Sequence, residues 1–347
     1  MALCLLLSYA LFFSGTMCGQ SGRRGTPETI NKASQKEDEA VVRVETEEVV
    51  LPVSVRNAAG RPVPGLVAED FLIYDNGIRH EVLSFNQRRV AANIVLLLDA
   101  SGSVFSQMRF IRSAAKNFAS NLGKEDRVCV MQFADRVELL QDWIGASEAE
   151  KIGHALDWKY HPGERTTFHD GLYLAAEDQL RKVEGRRIII LLTDGIDTAE
   201  HKHASFNDAL GAVRRVEASV YVVSLTASLR AVVEGQMGGR LSRLLAGGYA
   251  RHLVTQYLGT INAAEKLLEQ IAETTGGRIF LPIEKEDLLP AYTAIAEELR
   301  TQYIVTYKPK VRAQAGEWRA LRVLVVPGGY QVATRTGYTG RALRRAQ

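Results

Sequence analysis

The pattern of apolar and polar positions changes character twice along the chain. Residues 21–40 are polar and charged with no apolar period, which predicts a flexible linker. Between Val41 and Phe85 short apolar runs alternate with turn residues. Val49-Val50-Leu51 and Val53-Ser54-Val55 flank Pro52, which suggests an edge strand or a break. Asn57–Gly65 holds two prolines and two glycines and reads as a turn region. Phe71-Leu72-Ile73-Tyr74 is followed by Asp75-Asn76-Gly77, a hairpin signal, and a return over His80–Phe85. Residues 41–88 thus predict a small N-terminal β module.

From Ala92 the period is different. Ile94–Leu98 is apolar without alternation, as in a strand buried on both faces of a parallel sheet. Phe110, Ala114, Phe118 and Leu122 then recur at helical spacing, and Gly123 closes that helix. The alternation continues: strand Val128–Phe133, helices Ala149–Leu156 and Gly171–Val183, strand Ile188–Leu192, helix Phe206–Ala218 and strand Val220–Leu225. Helix Leu267–Thr275, strand Arg278–Leu281 and helix Leu288–Arg300 complete it. Such an order predicts an α/β domain over 90–305, a doubly wound, mostly parallel sheet with helices on both faces. Leu229–Thr260 interrupts it and reads as an insertion with partial helix at Leu241–Leu245. Tyr303–Tyr307, Arg319–Val326 and Tyr330–Thr334 are strand-like, so 306–340 is expected to supply C-terminal strands that pair with the N-terminal ones.

The 347 residues are 46% apolar and 24% charged, which fits a globular protein and excludes a collagen, a mostly disordered chain or a multi-span membrane protein. The charge balance is 43 − 40 = +3, and the Arg-Arg pairs at 88–89, 186–187 and 214–215 are dispersed, reading as solvated surface. No nucleic-acid partner is expected. Cys129 stands alone in the body of the protein, so no internal disulfide is expected there and it reads as a small buried hydrophobe. Met1–Gly19 is uncharged, with apolar Ala2–Phe13 followed by Ser14, Gly15 and Thr16. Residues 1–20 therefore read as a signal peptide. Lipidation at Cys18, which follows the bulky Met17, and an uncleaved anchor are the alternatives. The expected location is exported: secreted, periplasmic or associated with the cell envelope, with membrane contact only through that N-terminal anchor or lipid.

Open α/β sheets bind ligands beyond the carboxyl ends of their strands. Two such ends carry chemistry: Leu97-Leu98-Asp99-Ala100-Ser101-Gly102-Ser103 and Leu191-Leu192-Thr193-Asp194-Gly195. Asp99, Ser101 and Ser103 alternate, so one loop can aim three oxygens at a point, and Asp194 adds a second carboxylate. These hard donors suit Mg²⁺, Mn²⁺ or Ca²⁺ rather than Zn²⁺. The serines taken alone also read as helix caps.

With these motifs, residues 92–305 resemble a von Willebrand factor A domain. Asp99-x-Ser101-x-Ser103 is similar to its metal-ion-dependent adhesion site (MIDAS) motif. Gly163–Asp170 resembles the second loop, where the spacing to Asp170 picks Thr166 over Thr167, and Thr193-Asp194-Gly195 resembles the third. The resemblance implies a metal site of Asp99, Ser101, Ser103, Thr166 and Asp194. Hydroxyls would bind the cation directly, aspartates often through water, and one position would be left for an acidic residue of a protein partner. Mg²⁺ is the expected ion, with Mn²⁺ or Ca²⁺ as alternatives. Val63-Pro64-Gly65-Leu66, Asp70-Phe71, Asp75-Asn76-Gly77, Gln302-Tyr303 and Gly337-Tyr338 resemble an exported bacterial type in which this domain sits between β segments.

The implied function is a metal-dependent, adhesion-type protein-binding module without catalytic residues. A structural subunit of an envelope assembly is the alternative. A metal-dependent phosphoryl hydrolase is disfavoured, because no second aspartate follows two residues after Asp99 and no Gly-rich phosphate loop or Gly-x-Ser-x-Gly turn is present. His201 and His203 read as a solvated loop, and His169 as loop packing.

Overall fold

The computed structural model describes residues 48–87, 90–200, 202–238 and 248–340. The signal peptide with Cys4 and Cys18, the linker, residues 41–47, Arg88-Arg89, His201 and Leu241–Leu245 lie outside the described residues. Four short strands come first: β1 (Val49–Arg56), β2 (Phe71–Asp75), β3 (Ile78–His80) and β4 (Val82–Asn86). The β2–β3 turn places Asn76 and Gly77 at φ 47° and 79°. Two successive left-handed residues give the turn a twist that matches its strands, and Asn-Gly adopts them at low cost.

The α/β layer follows in the order β5 (Ala92–Asp99), α1 (Met108–Ser120), β6 (Arg127–Phe133), β7 (Val137–Gly145), α2 (Ala149–Trp158), α3 (Phe168–Leu174), β8 (Arg186–Thr193), α4 (Phe206–Arg215), β9 (Ser219–Ser224), α5 (Thr226–Gly238), α6 (Gly248–Thr275), β10 (Ile279–Phe280) and α7 (Leu288–Thr301). The sheet order is β10-β9-β8-β5-β6-β7, parallel except for β7. Every residue of β5 is buried. Ile94, Leu96 and Leu98 face a core with Ile111 and Phe118 of α1 and Tyr292 and Ile295 of α7. Val95 and Leu97 face a second core with Phe168, Val213, Leu268 and Ile271. Alternate side chains of a strand point to opposite faces, so helices on both faces demand the unbroken apolar run. Cys129 is buried within that second core.

Three elements differ from expectation. β7 is an antiparallel edge strand with a mixed burial pattern, which hid it from any apolar period. The helix expected over Gly171–Val183 starts at Phe168 and gives way after Leu174 to a wide turn and a tight one ending at Lys182. The insertion is built on α5 and α6, and the helix expected only from Leu267 begins at Gly248 and runs 28 residues. Ile261, Ala264, Leu268, Ile271 and Ala272 are buried while 252–260 are largely exposed, so the apolar period marks only its second half.

The flanks close on each other. β11 (Tyr303–Tyr307), β12 (Trp318–Val325), β13 (Gln331–Ala333) and β14 (Gly337–Thr339) combine with the first four strands into two sheets, ordered β13-β1-β11-β4 and β14-β12-β2-β3. Pro52 lies opposite Ile304 in a stretch of β1 that has a neighbour on one side only, because β13 joins from Ser54 onward. The strand therefore continues through the proline. At the centre, the buried Asp75 carboxylate accepts from Arg319 Nε at 2.7 Å, the Tyr307 hydroxyl at 2.9 Å and the Tyr338 hydroxyl at 3.0 Å. This knot joins β2, β12, β11 and β14. The Tyr303 hydroxyl donates to Val63 O at 2.7 Å and accepts from Leu66 N at 3.2 Å, pinning the Val63–Leu66 loop.

Arg186, Arg187 and Arg214, expected at the solvated surface, instead hold elements together, while Arg215 is exposed as expected. Half-buried Arg186 donates to Leu299 O at 2.9 Å, to Val90 O at 3.4 Å and to the Gln302 side chain. Arg187 donates to the carbonyls of Leu180, Val183 and Val216. Carbonyls gathered at the amino ends of the strands need donors, and these side chains supply them. Arg214 stacks over Trp318, and Arg215 pairs with Glu177.

Replacing Asp75 by Ala leaves the buried Arg319 guanidinium with only the more distant Glu317, at 3.5 Å, as counter-charge and strands the Tyr307 and Tyr338 hydroxyls. The expected loss is about 3–5 kcal/mol in unfolding free energy, read by urea denaturation.

Candidate metal centre

Asp99 is the last residue of β5, and both oxygens of its carboxylate are engaged. Ser101 N donates to Oδ1 at 2.8 Å and the Thr193 hydroxyl to Oδ2 at 2.7 Å. The Tyr160 hydroxyl donates to the Asp99 backbone carbonyl. Ser101 and Ser103 share a hydrogen bond between hydroxyls at 2.9 Å, and Ser103 bonds onward to the Asp194 carboxylate. Ile196 N donates to Asp194 Oδ1 at 2.9 Å. Four of the five expected residues thus form one bonded cluster. Asp99, Ser101 and Asp194 are almost completely buried, and Ser103 opens the cluster to solvent.

Thr166 joins through its loop. Its side chain is buried, and the buried hydroxyl left without a partner in this loop is that of its neighbour Thr167. Gly163 N donates to Ala100 O at 2.8 Å, so the second loop lies on the first. Thr166 N donates to Thr198 Oγ1 at 2.9 Å, while Thr198 N and Ala199 N return to Thr166 O at 3.1 Å. Asp135 accepts from Glu164 N and Arg165 N on the other side. A Cβ at Gly163 would meet Asp135 Oδ2 at 2.5 Å, so only glycine fits there.

Asp135 and Thr198 are positioning residues that the sequence alone did not single out. Both carried a signal, since Asp135 closely follows the carboxyl end of β6 and Thr198 closely follows Asp194. Asp170 is a structural carboxylate: it accepts from His203 N at 3.0 Å and Ala204 N at 2.8 Å. His169 packs against Phe168 and Phe206, and burial holds its imidazole below the ordinary range against the pull of Asp197. The His203 side chain is exposed.

Burial, then the charge of Asp194, pushes the Asp99 carboxyl from 3.8 up to about 7, against the opposing hydrogen bonds of Ser101 and Thr193. Burial raises Asp194 as well, partly offset by Ser103 and Ile196. Among the described residues no Lys, Arg or His pairs with either carboxylate. Buried charges are ordinarily paired or bound to a cation. Two carboxylates and the three hydroxyls of Ser101, Ser103 and Thr166 make a donor set suited to a hard divalent ion. No group of three or more His, Cys, Asp or Glu side chains able to hold a metal occurs among the described residues.

In chelator, wild-type stability is expected to fall as pH rises from about 4 to about 7. The unfolded chain has released this proton while the folded protein still holds it, so folding takes up a proton in that window. Asp99→Asn should flatten this dependence, read as thermal midpoint against pH in EDTA.

The von Willebrand factor type A domain family model matches residues 93–288. No match was found among curated proteins. Among solved structures, the protein is similar to proximal thread matrix protein 1 from the mussel byssus with a zinc-occupied MIDAS motif: 18% identity, TM-score 0.45, 65% of this sequence and 50% of that one. It is similar to a von Willebrand factor type A protein from Catenulispora acidiphila, with 10% identity, TM-score 0.45, and 86% of this protein and 75% of that one covered. It is also similar to the pilus adhesin SpaC from Lactobacillus rhamnosus GG, with 12% identity, TM-score 0.44, and 84% and 47% covered. The match spans about half the length of the mussel protein and of SpaC. With more than half its length matched by the family model and the doubly wound sheet in place, this protein belongs to the von Willebrand factor type A domain family.

Proposed function

We propose that this protein is an exported, adhesion-type binding module and not an enzyme. Asp99, Ser101, Ser103, Thr166 and Asp194 would hold one divalent cation, Mg²⁺ first and Mn²⁺ or Ca²⁺ as alternatives. The ion supplies a positive anchor for a carboxylate on a protein partner. The observation that carries this reading is the pair of buried carboxylates without a cationic side chain, at the carboxyl ends of two adjacent parallel strands. The protein's own residues do the remaining work. Ser101 N and Thr193 orient the Asp99 carboxylate, and Thr198 and Asp135 hold the Thr166 loop. With both Asp99 oxygens so engaged, no free nucleophile or base is aimed from it, which supports binding over phosphoryl transfer. Export is supported by the apolar Ala2–Phe13 segment. Among the described residues no helix is long and apolar enough to cross a membrane.

Calorimetry with Mg²⁺ and Mn²⁺ tests the site. Wild type is expected to bind one ion and Asp99→Ala none, whereas no heat from wild type would overturn the metal reading. Ser101→Ala is expected to lose ion affinity while its thermal midpoint in EDTA stays near wild type. Collapse of the fold in that variant would point to a purely structural role.

Thr198→Val removes the acceptor for Thr166 N without touching a metal donor. The expected cost is about 1 kcal/mol, or about fivefold in Mn²⁺ affinity by the same titration.

A further inference from the structure

The insertion stands at the metal face. α5 begins just after β9, at the same sheet edge as Asp99 and Asp194. Its base is fixed. Leu225 N donates to Thr193 O at 2.9 Å, and Gln107, at the end of the turn that carries Ser103, donates to Ser228 Oγ at 3.4 Å. Thr226 Oγ1 donates to Glu265 Oε2 at 2.6 Å, and Arg230 donates to Glu265 at 2.9 Å and Asn262 at 3.0 Å. These bonds clamp α5 to α6.

α6 in turn rests on the Asp194 turn. A Cβ at Gly195 would come within 2.9 Å of Leu268 and 3.4 Å of Ala264, so glycine at φ 73° lets the helix lie directly on the residue after Asp194. Toward its N-terminus the helix leaves the domain after Ile261. Tyr257 is two turns before Ala264, on the same face and about 10 Å further out. It is 40% exposed, and burial together with the charge of Asp194 holds its phenol above the ordinary range. Tyr257 thus carries a hydroxyl donor on the face of α6 that, two turns further on, rests on the turn after Asp194.

We propose that Tyr257 is a ligand-contacting residue, carried by the insertion to donate a hydrogen bond to the carboxylate that a protein partner presents to the Asp99–Asp194 site. The inference rests on the binding function proposed above. A carboxylate has two oxygens. If one meets the cation, the other needs a donor at the rim. Ser101 and Ser103 are already bonded to each other and Ser103 to Asp194. A phenol adds a donor without adding a positive charge that would compete with the ion, which Lys or Arg would do. The partner chemistry is an exposed carboxylate, from an Asp or Glu side chain or from the C-terminus of a polypeptide.

The test uses the full-length protein as wild type and Tyr257→Phe, which keeps the ring and loses one oxygen. Mn²⁺ affinity is measured by calorimetry. The Mn²⁺-loaded proteins are then titrated with N-acetylglutamate amide, and its proton signals are followed for paramagnetic broadening. The expected result is Mn²⁺ affinity within about twofold of wild type and probe affinity about tenfold weaker in Tyr257→Phe. Equal probe affinity in the two proteins overturns the role of Tyr257 and leaves the metal site standing. A wild type that binds Mn²⁺ but not the probe overturns carboxylate capture and Tyr257 with it. A wild type that binds no Mn²⁺ overturns the metal reading on which both rest.

Discussion

Two carboxylates held out of water and within reach of each other's charge set the terms for one face of this molecule. Left alone, such a pair resists ionisation, and the rise of the Asp99 carboxyl to about 7 expresses that resistance. Among the described residues no lysine or arginine relieves it. The surroundings supply hydroxyls and backbone amides, which fix where the oxygens point without neutralising them. The Thr166 loop is set by Thr198 on one side and Asp135 on the other. The cost of this arrangement falls on the folded state, and the cation proposed for the site would offset it through the linkage that ties ligand binding to stability.

The other end of the sheet carries the opposite solution. Buried charges there are matched within the protein. Arg56 donates to both oxygens of Glu298, Arg319 pairs with Asp75 and Arg335 with Glu217. Arg186 bonds the entry to the α/β layer at Val90 and its exit at Leu299 and Gln302. That brings β1 and β11 together although about 250 residues separate Val53 from its partner Tyr303. Loop closure through a folded domain is inexpensive when the domain itself holds its ends side by side.

What the sequence disclosed follows from how local each signal is. β5 and β8 were legible because burial on both faces writes an apolar run into consecutive residues. β7 was not, since an edge strand carries a mixed pattern. α6 was read only where it packs, because its first half covers no core. Asp75 was read as a turn residue. It precedes the Asn76-Gly77 turn, but its carboxylate serves three strands that arrive more than 200 residues later, and no local pattern announces that. At the site, Asp99, Ser101, Ser103 and Asp194 were visible as oxygens beyond apolar strands. Thr166 needed the family resemblance, for nothing about Gly163–Thr167 alone marks it. Asp135 and Thr198 were within reach of the same strand-end rule but bind backbone, not one another.

A parallel sheet puts all its carboxyl ends on one side, so the donor cluster and the docked β module occupy opposite edges. β5 spans eight residues between them, about 26 Å. α7 bridges the same distance by another route. Near its start Tyr292 packs in the core beside Tyr160, whose hydroxyl holds the Asp99 carbonyl. Near its end Glu298 is bonded to Arg56 of β1. The module therefore acts as a brace, fixing the helix that backs the Asp99–Ser103 loop. A site braced in this way spends little ordering free energy when a ligand arrives. On the proposed binding function, the choice of ligand would fall to the parts that stand clear of the sheet, chief among them the helix pair over Asp194.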